Sequence, residues 1–256
     1  MNRERILDFA KTNEDKLLLS RLCDAARAAE KSFTSVATRF LNGYELSLAK
    51  RALVGNVGVN FSDFGGYDGA ERRVIAFYPD FAEPNYGISF IEATGRELEA
   101  LSHRDYLGSV LALGIVRDKI GDIIIGKNGC IICRTEIADY ITAQLERIAN
   151  TPVRLKITDG AEVEIPEKKF KEIFATVPSL RLDCVLSAGA KMSRSDAADT
   201  IKAGRVTVNW EDTANPGVCL KENQIISIKG FGRLELFQIK GETKKGRIAV
   251  VIKRFI

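Results

Sequence analysis

Apolar residues in the first quarter of the chain recur with the spacing of amphipathic helices. One stretch runs from Ile6 to Ala25, and a second covers 44–54. In both stretches the apolar positions lie three or four residues apart, which places them on one side of a helix. Aromatic residues then lie among glycines at 61–69, and the glycines predict a loop. We therefore interpret residues 1–70 as a helical N-terminal region.

Two roles fit the aromatic residues of the glycine-rich loop at 61–69. Their rings can pack on a neighbouring domain, which is the simpler interpretation for a turn of this composition. Alternatively, a base can stack on a ring or a backbone can lie close to the loop, since glycine permits close approach. The sequence alone leaves both roles open.

Residues 71–165 are predicted to form a ferredoxin-like, RRM-like domain with the order β-α-β-β-α-β from residue 88 onward. The predicted elements are strands 74–78 and 88–93, a helix from a cap at Ser102 and Asp105 to Gly114, strands 122–126 and 130–134, a helix from a cap at Thr135 to Ile148, and a strand at 153–157. Asn128-Gly129 is typical of a hairpin turn in which both residues take positive φ. The central strands lack the aromatic rings with which RNA-recognition versions of this fold stack bases.

Residues 179–256 predict a small domain of two helices and a sheet, after a charged linker at 165–171. The predicted elements are a helix at 179–188 ended by Gly189, a helix capped by Ser193 and Asp196 that stops at Gly204, strands 206–208 and 225–228, and a hairpin of 234–239 and 248–252 that turns at 244–246. Together, the three segments predict the α+β class.

Positive charge is concentrated in the C-terminal segment. Residues 179–256 contain 14 Lys or Arg and 8 Asp or Glu, a balance of +6, whereas the rest of the chain has a balance of −2. Such a concentration in one compact segment is typical of a surface that binds phosphate. An ordinary solvated basic face would have the same composition.

Composition excludes several other classes of protein. Apolar residues make up 45% of the 256 positions, which is enough for more than one core. No apolar run approaches the ~18 residues of a membrane helix, and no signal peptide is visible. The five cysteines are odd in number and scattered, which argues against a disulfide framework. We therefore expect a soluble, cytoplasmic protein without a membrane partner.

An ordered motif in the C-terminal segment is more specific than its charge. It comprises Arg181-Leu182-Asp183, Ser193-Arg194-Ser195 with Ala197, Ile201 with Gly204-Arg205-Val206, Val208-Asn209, and 225–233. Over about 55 residues this motif resembles the RNA-binding domain first described in ribosomal small-subunit protein S-four. It departs from that pattern at Asn223-Gln224, where the family usually has a Gly-Asp turn. The departure changes a turn and leaves the expected RNA surface intact.

Nearly the whole chain resembles the YlmH family of bacterial proteins. That family combines a helical N-terminal part, a ferredoxin-like middle domain with a His-Arg-Asp-Tyr-Leu-Gly helix, and the S-four-type domain. Here that helix covers 103–108, and Lys119-Ile120-Gly121-Asp122 follows it. The resemblance implies a role in ribosome quality control, with binding to large subunits that still carry peptidyl-tRNA. It also implies an association with bacterial cell-division gene clusters.

We expect the RNA-binding surface at the junction of the two short C-terminal helices. The start of a helix attracts phosphate through its free N–H groups and its dipole. The residues expected to contact RNA are Arg181, Lys191, Ser193, Arg194, Ser195, Lys202, Arg205, Lys229 and Arg233. Arg104 and Lys127 of the middle domain are additional candidates. Such contacts recognise structured rRNA or tRNA by shape and backbone, and they weaken steeply with salt.

Four short motifs imitate other sites but lack the required companions. Residues 191–195 imitate the ATP loop of class I aminoacyl-tRNA synthetases without a His-x-Gly-His element, and 126–129 has the GxxG spacing of KH domains but joins two strands. Residues 103–105 echo a kinase catalytic loop without its Gly-rich loop or Asp-Phe-Gly. Cys130 and Cys133 lack a second ligand pair, and positions three apart in a strand face opposite ways. We therefore expect no catalytic residue, metal, cofactor or small-molecule substrate.

Three functions remain open on the sequence. The first, which we favour, is a non-catalytic RNA-binding factor on the ribosomal large subunit. The second is an RNA-modifying enzyme, because S-four-type domains are often fused to pseudouridine synthases and methyltransferases. Residues 1–165 show neither a catalytic Asp in a large mixed sheet nor a Gly-rich cofactor loop after a strand. The third is a cell-division-linked interaction protein whose middle domain binds another protein.

Overall fold

The computed structural model describes residues 1–160, 163, 170–243 and 246–255. The chain forms two compact units, Met1–Pro166 (unit 1) and Glu167–Ile256 (unit 2). Each unit combines helices with antiparallel sheet, which agrees with the predicted α+β class. Within the described ranges, every helix is too short or too polar to cross a membrane.

The first part of unit 1 packs helices on a small sheet. Its elements are α1 (Arg3–Leu7), α2 (Asn13–Ser32), β1 (Val36–Ala37), α3 (Gly43–Leu53), β2 (Asn60–Phe64) and β3 (Val74–Tyr78), with the sheet order β1-β3-β2. Helices α2 and α3 both start at capping boxes, Thr12 with Asp15 and Asn42 with Glu45, which satisfy the free N–H groups of the first turn.

The predicted glycine-rich loop is only partly a loop, and the region predicted as helical also contains the strands β1 and β2. Residues up to Phe64 form β2, because Phe61 pairs with Phe77 across the sheet and adds its ring to the core under the helices. Beyond β2, Tyr67 donates a hydrogen bond to Asp122 at 2.9 Å. Asp122 belongs to the larger sheet of the same unit. The loop therefore packs on a neighbouring sheet, which confirms the simpler of its two interpretations.

The second part of unit 1 is an antiparallel sheet with helices on one face. Its elements are β4 (Ile88–Gly95), α4 (His103–Ala112), β5 (Ile120–Ile124), β6 (Gly129–Arg134), α5 (Ala138–Gln144), β7 (Arg147–Ile148) and β8 (Thr151–Thr158), with the sheet order β5-β6-β4-β8-β7. The predicted β-α-β-β-α-β order is present, with β7 as an added short strand. Ser102 and Asp105 form the capping box that was predicted for the first helix.

The helix α5 is shorter than predicted. Residues 135–137 form a 3-10 turn, so Thr135 does not cap the α-helix, which ends at Gln144. Ile148 belongs to β7 instead of the helix. A tight turn pairs Ile148 with Thr151, and this hairpin buries the Ile148 side chain.

The hairpin between β5 and β6 forms as predicted, but the predicted turn was wrong. Ile124 pairs with Cys130, and neither Asn128 nor Gly129 has a positive φ. Packing requires the glycine instead, because a Cβ at Gly129 would overlap the ring of the fully buried Tyr106. Gly129 thus permits the close approach of α4 to the sheet.

The N-terminal part of unit 1 covers part of the sheet face that lies opposite α4 and α5. A buried cluster joins Phe40 and Val74 of the N-terminal part to Ile124, Cys130 and Ile132 of the sheet. RNA-recognition domains use this face for base stacking. The covered part cannot serve in that way. The prediction that 122–126 forms a central strand was wrong, because β5 lies at the edge of the sheet, and the central strand β4 has the ring of Phe90 in the covered cluster.

Unit 2 packs two helices on one face of a single sheet. Its elements are β9 (Phe170–Val177), α6 (Leu182–Ala190), α7 (Arg194–Lys202), β10 (Val206–Val208), β11 (Glu211–Asp212), β12 (Gln224–Ile228), β13 (Gly232–Glu242) and β14 (Ile248–Phe255). The sheet order is β11-β10-β12-β13-β14-β9. The helices, the central strands and β9 share one apolar core.

Strand β9 lies where the sequence predicted the end of a linker. Residues 170–177 pair with β14 from Phe170 against Phe255 to Val177 against Ile248. This pairing joins segments more than seventy residues apart, so local patterning could not indicate it. The linker residues 165–169 and the tip residues Lys244 and Lys245 lie outside the described residues.

The connection between α6 and α7 differs from the prediction at one residue. Gly189 lies inside α6 and does not end it. Packing requires glycine there, because a Cβ at this position would be 2.7 Å from the buried Leu234. Lys191 ends α6 in a left-handed conformation with φ of 54°. Ser193 then caps α7, as predicted, by accepting a hydrogen bond from the backbone N–H of Asp196 at 3.0 Å.

We expect Gly129→Ala to destabilise unit 1 by about 1–3 kcal/mol, the usual cost of overpacking a core site. The added methyl group would meet the ring of Tyr106, which is fully buried and has no room to move. Gly108→Ala is the matched control, because Gly108 lies exposed on α4 with open space around it. Alanine at this position should raise the free energy of unfolding by up to ~1 kcal/mol. Urea unfolding measures both changes. A Gly129→Ala variant as stable as the native chain would contradict this packing.

Candidate nucleic-acid interface

Helices α6 and α7 share a buried carboxylate. Asp183, in the first turn of α6, accepts hydrogen bonds from Nε and Nη2 of Arg181, both at 3.1 Å, and from Nε of Arg194 at 3.1 Å. Only 5% of the Asp183 side chain is exposed, against 43% of Arg181 and 55% of Arg194. Each arginine thus turns one edge of its guanidinium to the carboxylate and keeps the rest in solvent.

The two arginines keep Asp183 ionised. Burial alone would raise the pKa of Asp183, but the hydrogen bonds from Arg181 and Arg194 outweigh it and lower the pKa to about 2. The carboxylate therefore neutralises part of the positive charge at the helix junction. The sequence predicts that Arg181 and Arg194 contact RNA, but both are engaged with this carboxylate. In the structure, only the parts of each guanidinium that Asp183 does not bind remain available to a phosphate.

Four of the expected RNA contacts surround the start of α7. Lys191, Ser193, Arg194 and Ser195 are all exposed there. The Ser193 hydroxyl already serves the helix cap, so its role at this surface is to hold the first turn in place. The first turn of a helix has free N–H groups and the positive end of the dipole, both of which attract phosphate.

A second basic group lies at the end of α7. Lys202 is exposed in the last turn, and Arg205 donates a hydrogen bond from Nη2 to the carbonyl oxygen of Lys229 at 3.2 Å. Arg254 lies beside them over the ring of Phe231, 4.3 Å from its centroid. Arg254 was not predicted from the sequence, because only the pairing of β14 with β13 brings it to this end of the sheet.

Arg233 lies on the opposite face of the sheet from the helices. Its neighbour Leu234 is fully buried in the core under α6 and α7. Successive side chains of a strand alternate between faces, so Arg233 points away from that core. It pairs with Ser227 of β12 on the same outer face. The expected residues therefore do not form one continuous surface.

Unit 1 has its own exposed basic residues. Arg104 is exposed at the start of α4, and Lys127 at the tip of the β5–β6 hairpin. The sequence analysis did not predict a further basic group. Arg96 and Arg154 line an open pocket at the end of β4, and Lys156 lies on the same face of β8 as Arg154. Apolar and basic residues alternate along β8, and this alternation was the available signal.

Comparison with known proteins gives matches along nearly the whole chain. Residues 82–162 match the family model described as "Putative RNA-binding domain in YlmH". The chain is 29% identical over 246 residues to "Ribosome-associated protein quality control protein P2" from Bacillus subtilis (strain 168). The alignment covers 94% of this chain and 95% of the relative. These matches support the resemblance of this chain to the YlmH family.

A solved structure agrees with this relationship. "Cell division protein ylmH from Streptococcus pneumoniae" is 26% identical with a TM-score of 0.51, and it covers 61% of this chain and 98% of its own. The YlmH domain match falls on the larger sheet of unit 1. The motif that resembles the S-four-type domain lies in unit 2.

The described residues contain no group of three or more His, Cys, Asp or Glu side chains that is suited to hold a metal ion. Cys130 packs against the N-terminal part of unit 1, and Cys133 packs in the core under α4 and α5. The two thiols therefore face opposite sides of β6, as predicted. Burial raises the pKa of each thiol to about 12. His103 starts α4, which confirms the interpretation of 103–105 as a helix start.

We expect Asp183→Asn to lower the unfolding free energy at pH 7 by about 2–3 kcal/mol, because the folded pKa of about 2 lies below the unfolded value of ~3.9. For a carboxyl with a lowered pKa, this stabilisation is present above about pH 4 and is lost as pH falls towards 2. The difference between the native chain and the variant should thus be constant from pH 7 to 5 and fall by about half at pH 3. Urea unfolding at a series of pH values measures it. A difference independent of pH would contradict the ion-pair cluster.

Proposed function

We propose that this protein is a non-catalytic RNA-binding factor of ribosome quality control, which binds large subunits that carry peptidyl-tRNA. One observation carries the proposal: the 29% identity, along 94% of the chain, to a relative named a ribosome-associated quality control protein. The RNA-binding domain match at 82–162 supports the RNA-binding part. The ligand in this proposal is structured rRNA or tRNA, recognised through its backbone and shape.

Unit 2 serves in this proposal as an S-four-type RNA-binding domain. Its support is the position of the motif: the exposed Arg194 and Ser195 begin α7 and the exposed Lys202 ends it, so these three side chains can follow one RNA backbone. The proposed functional segments remain 1–70, 71–165 and 179–256. The first two lie within one compact unit, and β9 extends the third towards the N-terminus.

A role linked to cell division is the second candidate. It is favoured by the similarity to the solved structure from Streptococcus pneumoniae, which is named a cell division protein. In that case the middle segment binds another protein. A partner that stays bound to the middle segment after RNase treatment would favour this candidate over the ribosomal one.

We expect Lys202→Gln/Lys229→Gln to weaken binding to purified large subunits and to lower the slope of log affinity against log salt by about 1.4–1.8, since each lost phosphate contact removes about 0.7–0.9. Both lysines are exposed, and neither takes part in the Asp183 cluster. Lys31→Gln/Lys221→Gln is the control of equal charge, and its slope should match the native value. Sedimentation with subunits at several salt concentrations gives both slopes. Equal slopes for the two double variants would count against a phosphate-binding role for α7.

We expect Arg154→Gln/Lys156→Gln to weaken RNA binding in the same way, because these side chains lie on the uncovered face of the sheet in the matched domain. The charge-matched control in the same unit is Lys16→Gln/Lys31→Gln on α2. Affinity for subunits and for purified tRNA is measured for each variant. If Arg154→Gln/Lys156→Gln bound RNA with native affinity, the RNA contacts of unit 1 would have to lie elsewhere than on β8.

A further inference from the structure

The outer face of the sheet in unit 2 carries a group of exposed phenylalanines. Phe170, Phe174 and Phe237 expose 44%, 67% and 36% of their surfaces. The residues that alternate with them, such as Ile173 and Leu236, pack in the core with α6 and α7. Alternation along the strands therefore places the three rings on the face opposite the helices. Burying large apolar rings normally stabilises a fold, so a group of rings that stays exposed to solvent indicates a binding surface.

Two lysines lie directly on these rings. The ammonium of Lys253 lies 4.3 Å from the ring centroid of Phe170 and 3.2 Å from that of Phe237, and the ammonium of Lys240 lies 5.0 Å from that of Phe174. We call these five residues the aromatic–lysine face. Two members of this face, Phe237 and Lys240, lie at bulges in β13, because the register of its pairing with β14 shifts at each of them. Such bulges turn side chains to new directions and are frequent beside functional sites.

We propose that the aromatic–lysine face binds unpaired nucleotides of RNA by stacking their bases on the phenylalanine rings. Aromatic rings accept any base, which here takes the place of the lysine ammonium over the ring, and the displaced ammonium groups attract the phosphate backbone. A protein partner fits less well, because lysine is depleted at the centre of protein–protein interfaces. This surface goes beyond the proposed function, which assigns structured RNA to the helix side of the same sheet.

The charges around the face indicate how it binds. Glu172 and Glu235 are the cross-strand neighbours of Lys253 in β9 and β13. These carboxylates reduce the net positive charge, so binding here rests more on stacking than on attraction to phosphate. The affinity of this face should therefore depend on salt less steeply than that of the surface that contains Lys202 and Lys229. It should also favour single strands over duplexes, since a duplex offers no free base surface.

The test uses the full chain and a ten-nucleotide single-stranded RNA with a central 2-aminopurine, whose fluorescence falls when the base stacks. We expect the native chain to quench this probe and to leave the fluorescence unchanged when the same base lies inside a hairpin stem, where neighbouring bases already stack on it. Phe174→Leu keeps the apolar side chain but removes the ring, and it should bind the single strand about 5- to 150-fold more weakly. Phe174→Tyr keeps the ring and should bind as the native chain does.

Phe81→Leu is the matched control, because Phe81 is 74% exposed and belongs to unit 1, and the loss of its ring should leave the affinity for the probe unchanged. Thermal unfolding checks that Phe174→Leu folds. If it does not fold, Phe237→Leu takes its place and should weaken binding in the same way. Lys202→Gln/Lys229→Gln should still quench the probe, which separates this proposal from the proposed function. An unquenched probe with the native chain, or equal affinity in Phe174→Leu and the native chain, would overturn the proposal and leave the face to another partner, such as a protein.

Discussion

The ion-pair cluster around Asp183 is the interaction on which the helix side of unit 2 depends. A buried carboxylate costs free energy unless charged partners satisfy it, and here Arg181 and Arg194 do so from α6 and α7. The cluster therefore fixes the geometry of the two helices and decides how much of each guanidinium faces solvent. Positive charge that holds the fold together is not available in full to RNA. The exposed lysines at both ends of α7 consequently carry more of any phosphate contact than the motif alone indicates.

The free faces of the two sheets provide the second constraint. In unit 1, Phe40 and Val74 cover part of the face opposite the helices, so only the strip around β8 stays open there. In unit 2, none of the unit's described residues covers Phe174 on the corresponding outer face, and this side chain is 67% exposed. The alternation of side chains along strands is the same in both units. What differs is whether described residues of the same unit pack on the face, and this difference decides which side chains of that unit remain exposed.

Local signals in the sequence predicted the helices and most strands, because caps and alternation act over a few residues. Ser102 and Ser193 marked helix starts correctly. The predictions that failed involve partners distant in sequence: β9 exists because β14 pairs with it, and Gly129 is required by the ring of Tyr106 rather than by a turn. The candidate site shows the same limit. The motif located Asp183 and both arginines, but only the fold shows that these charges satisfy one another.

In the proposed function both units bind RNA, and neither then needs to bind tightly. Once one unit holds an RNA particle, the second binds as an intramolecular partner at a high effective concentration, and the combined affinity can exceed either by orders of magnitude. Modest surfaces are then sufficient, such as the partly neutralised helix junction of unit 2 and the narrow basic strip on β8. Charge contacts of this kind recognise any RNA backbone, whereas stacking recognises unpaired bases. A protein that combines both can distinguish a folded RNA with exposed nucleotides from a plain duplex, although no single surface on it is specific.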